Sequence, residues 1–157
     1  MSPDIRIPTQ LVTCTAADYL LGIDVLQVQE VLKHQRMTTV PRAAREVLGL
    51  INLRGHIVTA IGMRERLHLE LREDKQDCMN LVVTLRGGAA SLLVDSVGEV
   101  IDLDPKFYKP CPSNLTAPLS DIVSGVYQVK GGKGLLLHID PESACYFESG
   151  REATHEQ

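Results

Sequence analysis

The chain has 157 residues, of which 44% are hydrophobic and 23% are charged, and its formal net charge at pH 7 is −4. This length and balance predict one globular domain and exclude a disordered chain. No apolar run approaches the roughly 20 residues that cross a bilayer, and the N-terminus has no signal-peptide pattern. We therefore expect a cytoplasmic protein that does not insert into membranes. A net acidic chain without tryptophan also argues against general nucleic-acid binding.

The first informative segment follows Gly22-Ile23-Asp24 and alternates apolar with polar residues. Val28-Gln29-Glu30-Val31 is typical of an exposed strand. It fits an apolar groove rimmed by one acid, or a plain alternation of core-facing and solvent-facing side chains.

A basic stretch lies between residues 31 and 54. Its cations, against the single acid Glu46, are Lys33, Arg36, Arg42, Arg45 and Arg54. Such a stretch fits an acidic partner surface or a solvated loop face. Within it, Pro41 at the start and Gly49 at the end predict a short helix over residues 41–49.

The motif Asn52-Leu53-Arg54-Gly55 precedes a strand predicted at Ile57–Ile61. A charged residue beside glycine predicts the tip of a hairpin. There a guanidinium is well placed for a partner carboxylate or carbonyl, although a role in turn solubility is the alternative. A short helical segment is expected from Met63, followed by a highly charged connector over residues 64–77.

The second half carries further β signals. Strands are predicted over residues 81–85 and 91–95, joined by a turn at Arg86-Gly87-Gly88, and over residues 135–139. The glycine-rich segment 130–134 fits a hairpin turn better than a phosphate loop, since it lacks Walker spacing. Asp140-Pro141-Glu142 predicts a helix start, with the helix running to about residue 148.

Several of these elements recur in the same order, which indicates an internal duplication. Val28–Leu32 matches Val97–Ile101, and Gly49–Gly55 matches Gly125–Gly131. The repeat predicts two small antiparallel barrels around a shared core, over residues 10–78 and 79–147, with a polar tail at 148–157.

No pattern of catalytic residues emerges from the sequence. The Walker, dinucleotide-binding, zinc-protease and nucleophile-elbow motifs are all missing. The four cysteines, Cys14, Cys78, Cys111 and Cys145, have no metal-ligand spacing and are expected to be reduced thiols. We expect neither an enzyme nor a bound cofactor or metal.

Six segments of the chain strongly resemble the CheW-like adaptor domain of bacterial chemotaxis. They are residues 22–24, 28–31, 39–41, 49–58, 94–101 and 125–140. The Asn-Leu-Arg-Gly turn is the most specific part. The resemblance covers residues 10–147 and implies a mostly β fold of two five-stranded SH3-like barrels, with short helices at connections and at the C-terminus.

The resemblance further implies a non-enzymatic adaptor at membrane-associated receptor arrays. Its partners would be the cytoplasmic tip of a chemoreceptor and the regulatory domain of a CheA-type histidine kinase. Carried over by position, the receptor-binding residues are Val28, Glu30, Val31 and Arg54. The kinase-binding residues are Thr39, Val40 and Pro41.

The sequence departs from the family at Gly62-Met63-Arg64, where Asp-Leu-Arg is usual. Glycine caps a helix less well than aspartate, by a few tenths of a kcal/mol, so the expected cost falls on stability more than on function. A CheW-like scaffold of a paralogous motility or surface-sensing pathway is therefore one alternative. A small β-barrel ligand-binding domain or enzyme is the other alternative, and it requires a closed pocket with convergent polar groups.

Overall fold

The computed structural model describes residues 7–129, 134–147 and 151–152. The strands in chain order are β1 (Gln10–Ala16), β2 (Tyr19–Asp24), β3 (Val28–Lys33), β4 (Val47–Leu53), β5 (His56–Gly62), β6 (Met79–Leu85), β7 (Gly88–Val94), β8 (Ser96–Asp102), β9 (Tyr108–Pro110), β10 (Val123–Gln128), β11 (Leu135–Ile139), β12 (Tyr146–Phe147) and β13 (Arg151–Glu152). The helices are single turns at connections, α1 (Met63–Arg66), α2 (Leu119–Ile122) and α3 (Pro141–Ala144). The predicted fold class, mostly β with short helices, is confirmed.

The strands form two main sheets with matching strand order. The first runs β8-β1-β2-β11-β10-β9 and the second runs β3-β6-β7-β5-β4. Strand β8 occupies in the first sheet the position that β3 occupies in the second. Four further positions correspond in the same way, with β1 equivalent to β6, β2 to β7, β11 to β5 and β10 to β4. The predicted duplication is therefore confirmed, since the matched segments occupy equivalent positions.

The two repeats exchange hairpins, which differs from the predicted division at residue 78. The β1–β2 hairpin lies in the sheet built mainly from residues 96–139, and the β6–β7 hairpin lies in the sheet built mainly from residues 28–62. Each sheet also contains one parallel pair, β2 with β11 and β5 with β7, so neither is the purely antiparallel unit that was predicted. The extent of a single domain over residues 10–147 stays a prediction, as does the tail at 148–157.

One apolar core joins the two sheets, as predicted. Side chains from β1 and β2 pack in the same buried cluster as those from β5, β6 and β7. Leu21, Ile61, Leu81, Leu92 and Ile139 are at most 1% exposed. The strands that the sequence placed between two covered faces, β5 and β11, are buried over residues 58–62 and 136–139.

The helix predicted over residues 41–49 is wrong. The chain turns at Pro41-Arg42, where Arg42 has a left-handed backbone (φ 64°), and residues from Val47 onward join β4 and pair with β5. Strand pairing overrides the local proline and glycine signals here. Gly49 is needed because its backbone approaches the carbonyl oxygen of Thr38, which would lie 2.7 Å from an added Cβ.

The predicted start of the helix at Asp140 is confirmed, but the helix is shorter. The Asp140 carboxylate accepts a hydrogen bond from the Glu142 N–H at 3.1 Å, and α3 ends at Ala144 before β12 begins. The β6–β7 hairpin is confirmed, with Leu85 paired to Gly88 across the turn. Most of the glycine-rich turn at 130–134 lies outside the described residues.

Candidate partner-binding surface

Arg54 lies at the tip of the β4–β5 hairpin, as the sequence predicts. Leu53 pairs with His56, which leaves Arg54-Gly55 as a two-residue turn in which both residues have positive φ, 51° and 87°. That geometry favours a polar residue followed by glycine. The Asn52 side-chain oxygen accepts a hydrogen bond from the Gly55 N–H at 3.0 Å, which braces the turn. The motif is thus a self-supporting platform for one guanidinium.

The Arg54 guanidinium forms an ion pair with Glu30. Glu30 lies on β3 at one edge of the second sheet, whereas Arg54 follows β4 at the other edge, so the pair bridges the two edges. The hydrogen bond with Glu30 raises the pKa of Arg54. The Arg54 side chain is 71% exposed, so the pair adds little to stability. Its main effect is to orient a cation that remains open to a partner.

The two apolar residues predicted beside this pair point in different directions. Exposure alternates along β3, with Val28, Glu30 and Leu32 half-buried and the residues between them exposed. Val28 packs against the main core, whereas Val31 is 39% exposed. The structure therefore brings Glu30 and Arg54 into contact and places Val31 on the outer face of the same edge strand.

Thr39, Val40 and Pro41 flank β4 in the same sheet. Thr38 forms an isolated bridge to Leu50, with N–H···O distances of 2.9 and 2.8 Å in the two directions. Beyond the bridge Thr39 and Pro41 are exposed and Val40 is half-buried. The segment lies beside β4, whose other end leads into the Arg54 turn.

A charged cluster that the sequence did not single out lies where the chain crosses between the sheets. Asp95 separates β7 from β8, and its carboxylate accepts hydrogen bonds from Arg64 Nη2 at 2.6 Å and from the Ala17 N–H at 2.8 Å. Burial acts to raise the pKa of Asp95, but the hydrogen bonds from Arg64 and Ala17 outweigh it, and the net pKa is lowered. The signal available in the sequence was the repeat itself, which aligns Asp95 with Asp24.

Arg66 is a second residue that the sequence did not identify. It is 5% exposed and donates to the carbonyl oxygens of Ser143, Ala144 and Tyr146 at 3.0–3.1 Å. It therefore fastens α1, which follows the second sheet, to the end of α3, which follows the first.

The departure at Gly62 has a local structural reason. An added Cβ at this position would lie 2.7 Å from the carboxyl carbon of Glu65, which is 4% exposed and accepts a hydrogen bond from Lys75 at 3.0 Å. A side chain at this position would require the Glu65 carboxylate to move. Glycine leaves α1 without a side-chain cap at its start.

Burial shifts the pKa values of three interior groups, Cys14, Cys145 and His138. Burial raises the pKa of Cys14 and Cys145 to about 12, which keeps both thiols protonated and unreactive near neutral pH. His138 Nδ1 lies 2.8 Å from the Tyr108 hydroxyl, and burial lowers the pKa of this histidine despite the opposing charges of Asp24 and Asp140. Within the described residues, no cluster of side chains could hold a metal ion.

Two sheets of equivalent strand order, sharing one core and carrying a braced ion pair on a hairpin tip, define a duplicated β-barrel protein. The model of the CheW-like domain matches residues 10–145, and the chain belongs to that family. Among the residues that the structure describes, no helix combines the length and the apolar character needed to cross a bilayer.

Similar proteins bear the same family name. A chemotaxis protein CheW of Treponema pallidum is 27% identical over 135 residues, covering 83% of this chain and 78% of the relative. A chemotaxis protein CheW of Bacillus subtilis is 25% identical over 157 residues, covering 100% of this chain and 99% of the relative. The crystal structure of the scaffolding protein TtCheW from Thermoanaerobacter tengcongensis superposes with a TM-score of 0.82 at 29% identity, covering 93% of this chain and 97% of that one.

Proposed function

We propose that this chain is a non-enzymatic chemotaxis adaptor that couples the cytoplasmic tips of chemoreceptors to a CheA-type histidine kinase. Membership of the CheW-like family supports this, as do relatives that are chemotaxis proteins and a structural neighbour that is a scaffolding protein. The adaptor would work at membrane-associated receptor arrays. Its action is binding, with no bond made or broken.

The observation that carries the proposal is the exposed ion pair between Glu30 and Arg54 on a braced hairpin tip. A guanidinium held in one orientation loses little conformational entropy when it binds, which makes it a good hot spot. Val31 supplies exposed apolar area on the same strand as Glu30, and Val28 supports that strand from the core side. We assign these four residues to receptor binding and Thr39, Val40 and Pro41 to kinase binding.

The test replaces Arg54 with alanine and measures affinity for a receptor-tip fragment by calorimetry. We expect Arg54→Ala to weaken binding by about 1–2 kcal/mol, or roughly 5- to 30-fold. The fold should be retained, because the side chain is 71% exposed and contributes little to stability. Thermal melting of the variant checks this second expectation.

Arg86→Ala is the matched control. Arg86 also precedes a glycine in a two-residue hairpin turn of the same sheet, and its side chain is exposed. Receptor affinity should be unchanged in this control. An unchanged affinity in folded Arg54→Ala, or an equal loss in both variants, would contradict the assignment of Arg54.

The ligand-binding or enzymatic alternative has no support in the buried thiols, whose pKa values are raised. The pocket between α1 and the 71–78 segment is small, and its charged lining residues Arg64 and Asp95 are paired with each other. A paralogous motility or surface-sensing circuit keeps the same binding chemistry. Capture of a CheA-type kinase in a pull-down distinguishes the adaptor class from a ligand-binding barrel.

A further inference from the structure

The segment between β3 and β4 concentrates positive charge on an acidic protein. We define the basic loop as residues 33–45, whose cations are Lys33, Arg36, Arg42 and Arg45. All four are exposed, and none of their side chains forms a hydrogen bond or an ion pair with the described residues. The whole chain, by contrast, has a net charge of −4.

Three other cations of the described chain are paired with carboxylates, Arg54 with Glu30, Arg64 with Asp95 and Lys75 with Glu65. The exposed cations Arg86, Lys106 and Lys109 are also unpaired among the described residues, but they do not form one short segment free of acids. The basic loop contains no acid, and Glu46 follows directly after it. Exposed charges of one sign within a short segment attract a surface of the opposite charge.

The backbone of the basic loop is pinned at several points. The Gln35 N–H donates to the side chain of the fully buried Asn80 at 2.9 Å, and Thr38 bridges to Leu50 in both directions. At its end, the Val47 N–H donates to the Ala44 carbonyl oxygen at 3.0 Å. The cations therefore project from a fixed frame, with the proposed kinase-binding residues 39–41 between them.

We infer that the basic loop is an electrostatic docking surface for a carboxylate-rich face of the partner that binds through Thr39, Val40 and Pro41. This inference rests on the proposed function. Exposed charges of one sign around a contact site accelerate encounter with an oppositely charged surface, and they affect the association rate more than the lifetime of the complex. The acidic face would belong to the regulatory domain of the CheA-type kinase.

The test uses the full chain with three loop arginines neutralised, R36Q/R42Q/R45Q. The matched control is R86Q/K106Q/K109Q, which neutralises three exposed cations away from the loop. Each triple variant moves the net charge from −4 to about −7, so a loss specific to the loop cannot come from net charge alone. Thermal melting should show both variants folded.

Association with the isolated kinase regulatory domain is followed by surface plasmon resonance at about 50 mM and about 500 mM salt, between which the Debye length falls from about 14 to about 4 Å. At low salt we expect the association rate constant of the loop variant to fall about tenfold, with a change below about twofold in the control. At high salt the three proteins should converge. The dissociation rate should change little.

Equal rates in the loop variant and the wild type at low salt would overturn this inference alone, as would an equal fall in the control. A second experiment measures the binding of the wild type and both variants to vesicles containing phosphatidylglycerol. If the loop variant loses only vesicle binding and keeps its association rate with the kinase domain, the loop serves an anionic membrane and the inference is wrong. Failure of the wild-type chain to bind the kinase domain at all would overturn the proposed function, and this inference with it.

Discussion

Replacing Asp95 with asparagine should destabilise the protein by an amount that depends on pH. The Asp95 carboxylate accepts from Arg64 Nε at 3.0 Å and Nη2 at 2.6 Å, and from the Ala17 N–H at 2.8 Å. Breaking a fully buried charge pair costs about 3–5 kcal/mol, but these side chains are 15% and 20% exposed, and asparagine keeps one acceptor for Ala17. We expect a loss of about 2 kcal/mol near pH 7, or roughly 4–8 °C in melting temperature for a chain of this size.

The sign of the pH dependence follows from the direction of the pKa shift. Burial acts to raise the pKa of the Asp95 carboxyl, but the bonds from Arg64 and Ala17 lower it overall. The folded state therefore prefers the ionised carboxylate more than the unfolded state does. This stabilisation is present above the unfolded pKa, about 3.9, and is lost as the pH falls through the folded pKa. The difference in unfolding free energy between wild type and Asp95→Asn should become smaller below about pH 4.

Urea unfolding followed by circular dichroism at about pH 7, 5 and 3 measures this difference in unfolding free energy. Asp18→Asn is the control, because Asp18 is an exposed carboxylate in the same β1–β2 turn as Ala17. It should leave the unfolding free energy within about 0.5 kcal/mol of wild type at pH 7. A gap for Asp95→Asn that stays constant down to pH 3, or that is no larger than the control, would refute the reasoning.

Two further substitutions test the packing around β9. His138 is 7% exposed and burial lowers its pKa, so its contribution to stability is present above the unfolded pKa of about 6.5 and declines as the pH falls below that value. His138→Gln should therefore reduce the fall in unfolding free energy between about pH 6.5 and pH 5. An unchanged pH dependence of the unfolding free energy, measured with urea, would contradict this. Gly125→Ala should cost about 1–3 kcal/mol at pH 7, because the new Cβ would lie 2.5 Å from Tyr108 Cζ and 2.8 Å from the Lys109 carbonyl oxygen; a denaturation midpoint equal to that of the wild type would show that β9 yields without strain.

Local patterns predicted the elements that depend on nearby residues. The Arg54-Gly55 turn follows from the need for positive φ, and the short helix at Asp140 follows from its cap. The helix predicted over residues 41–49 fails for the opposite reason. Its last residues are claimed by pairing with β5, a contact that no local signal within the segment reveals.

The exchange of hairpins between the repeats could not be predicted from the sequence, because it also depends on contacts between distant segments. The repeat shows which segments are equivalent, but not whether β1 pairs with β8 or with β3. That choice depends on contacts between residues about 80 positions apart, such as Thr15 with Ser96. The ion pair between Glu30 and Arg54 could not be predicted either. Both residues are visible in the sequence, but their contact depends on how the two edges of the sheet approach each other.

The hairpin exchange places the proposed receptor-binding residues under the control of the whole chain. Glu30 lies on β3, which is attached to its sheet through β6, and β6 belongs to the other repeat. Arg54 lies on the β4–β5 hairpin, which joins the sheet through the parallel pairing of β5 with β7. The β6–β7 hairpin therefore lies between the strand that carries Glu30 and the hairpin that carries Arg54. Its tip is fastened in turn to α3 of the second repeat, where Glu142 accepts the Arg86 N–H at 2.5 Å. The relative placement of Glu30 and Arg54 therefore depends on a hairpin of the second repeat, although both residues belong to the first.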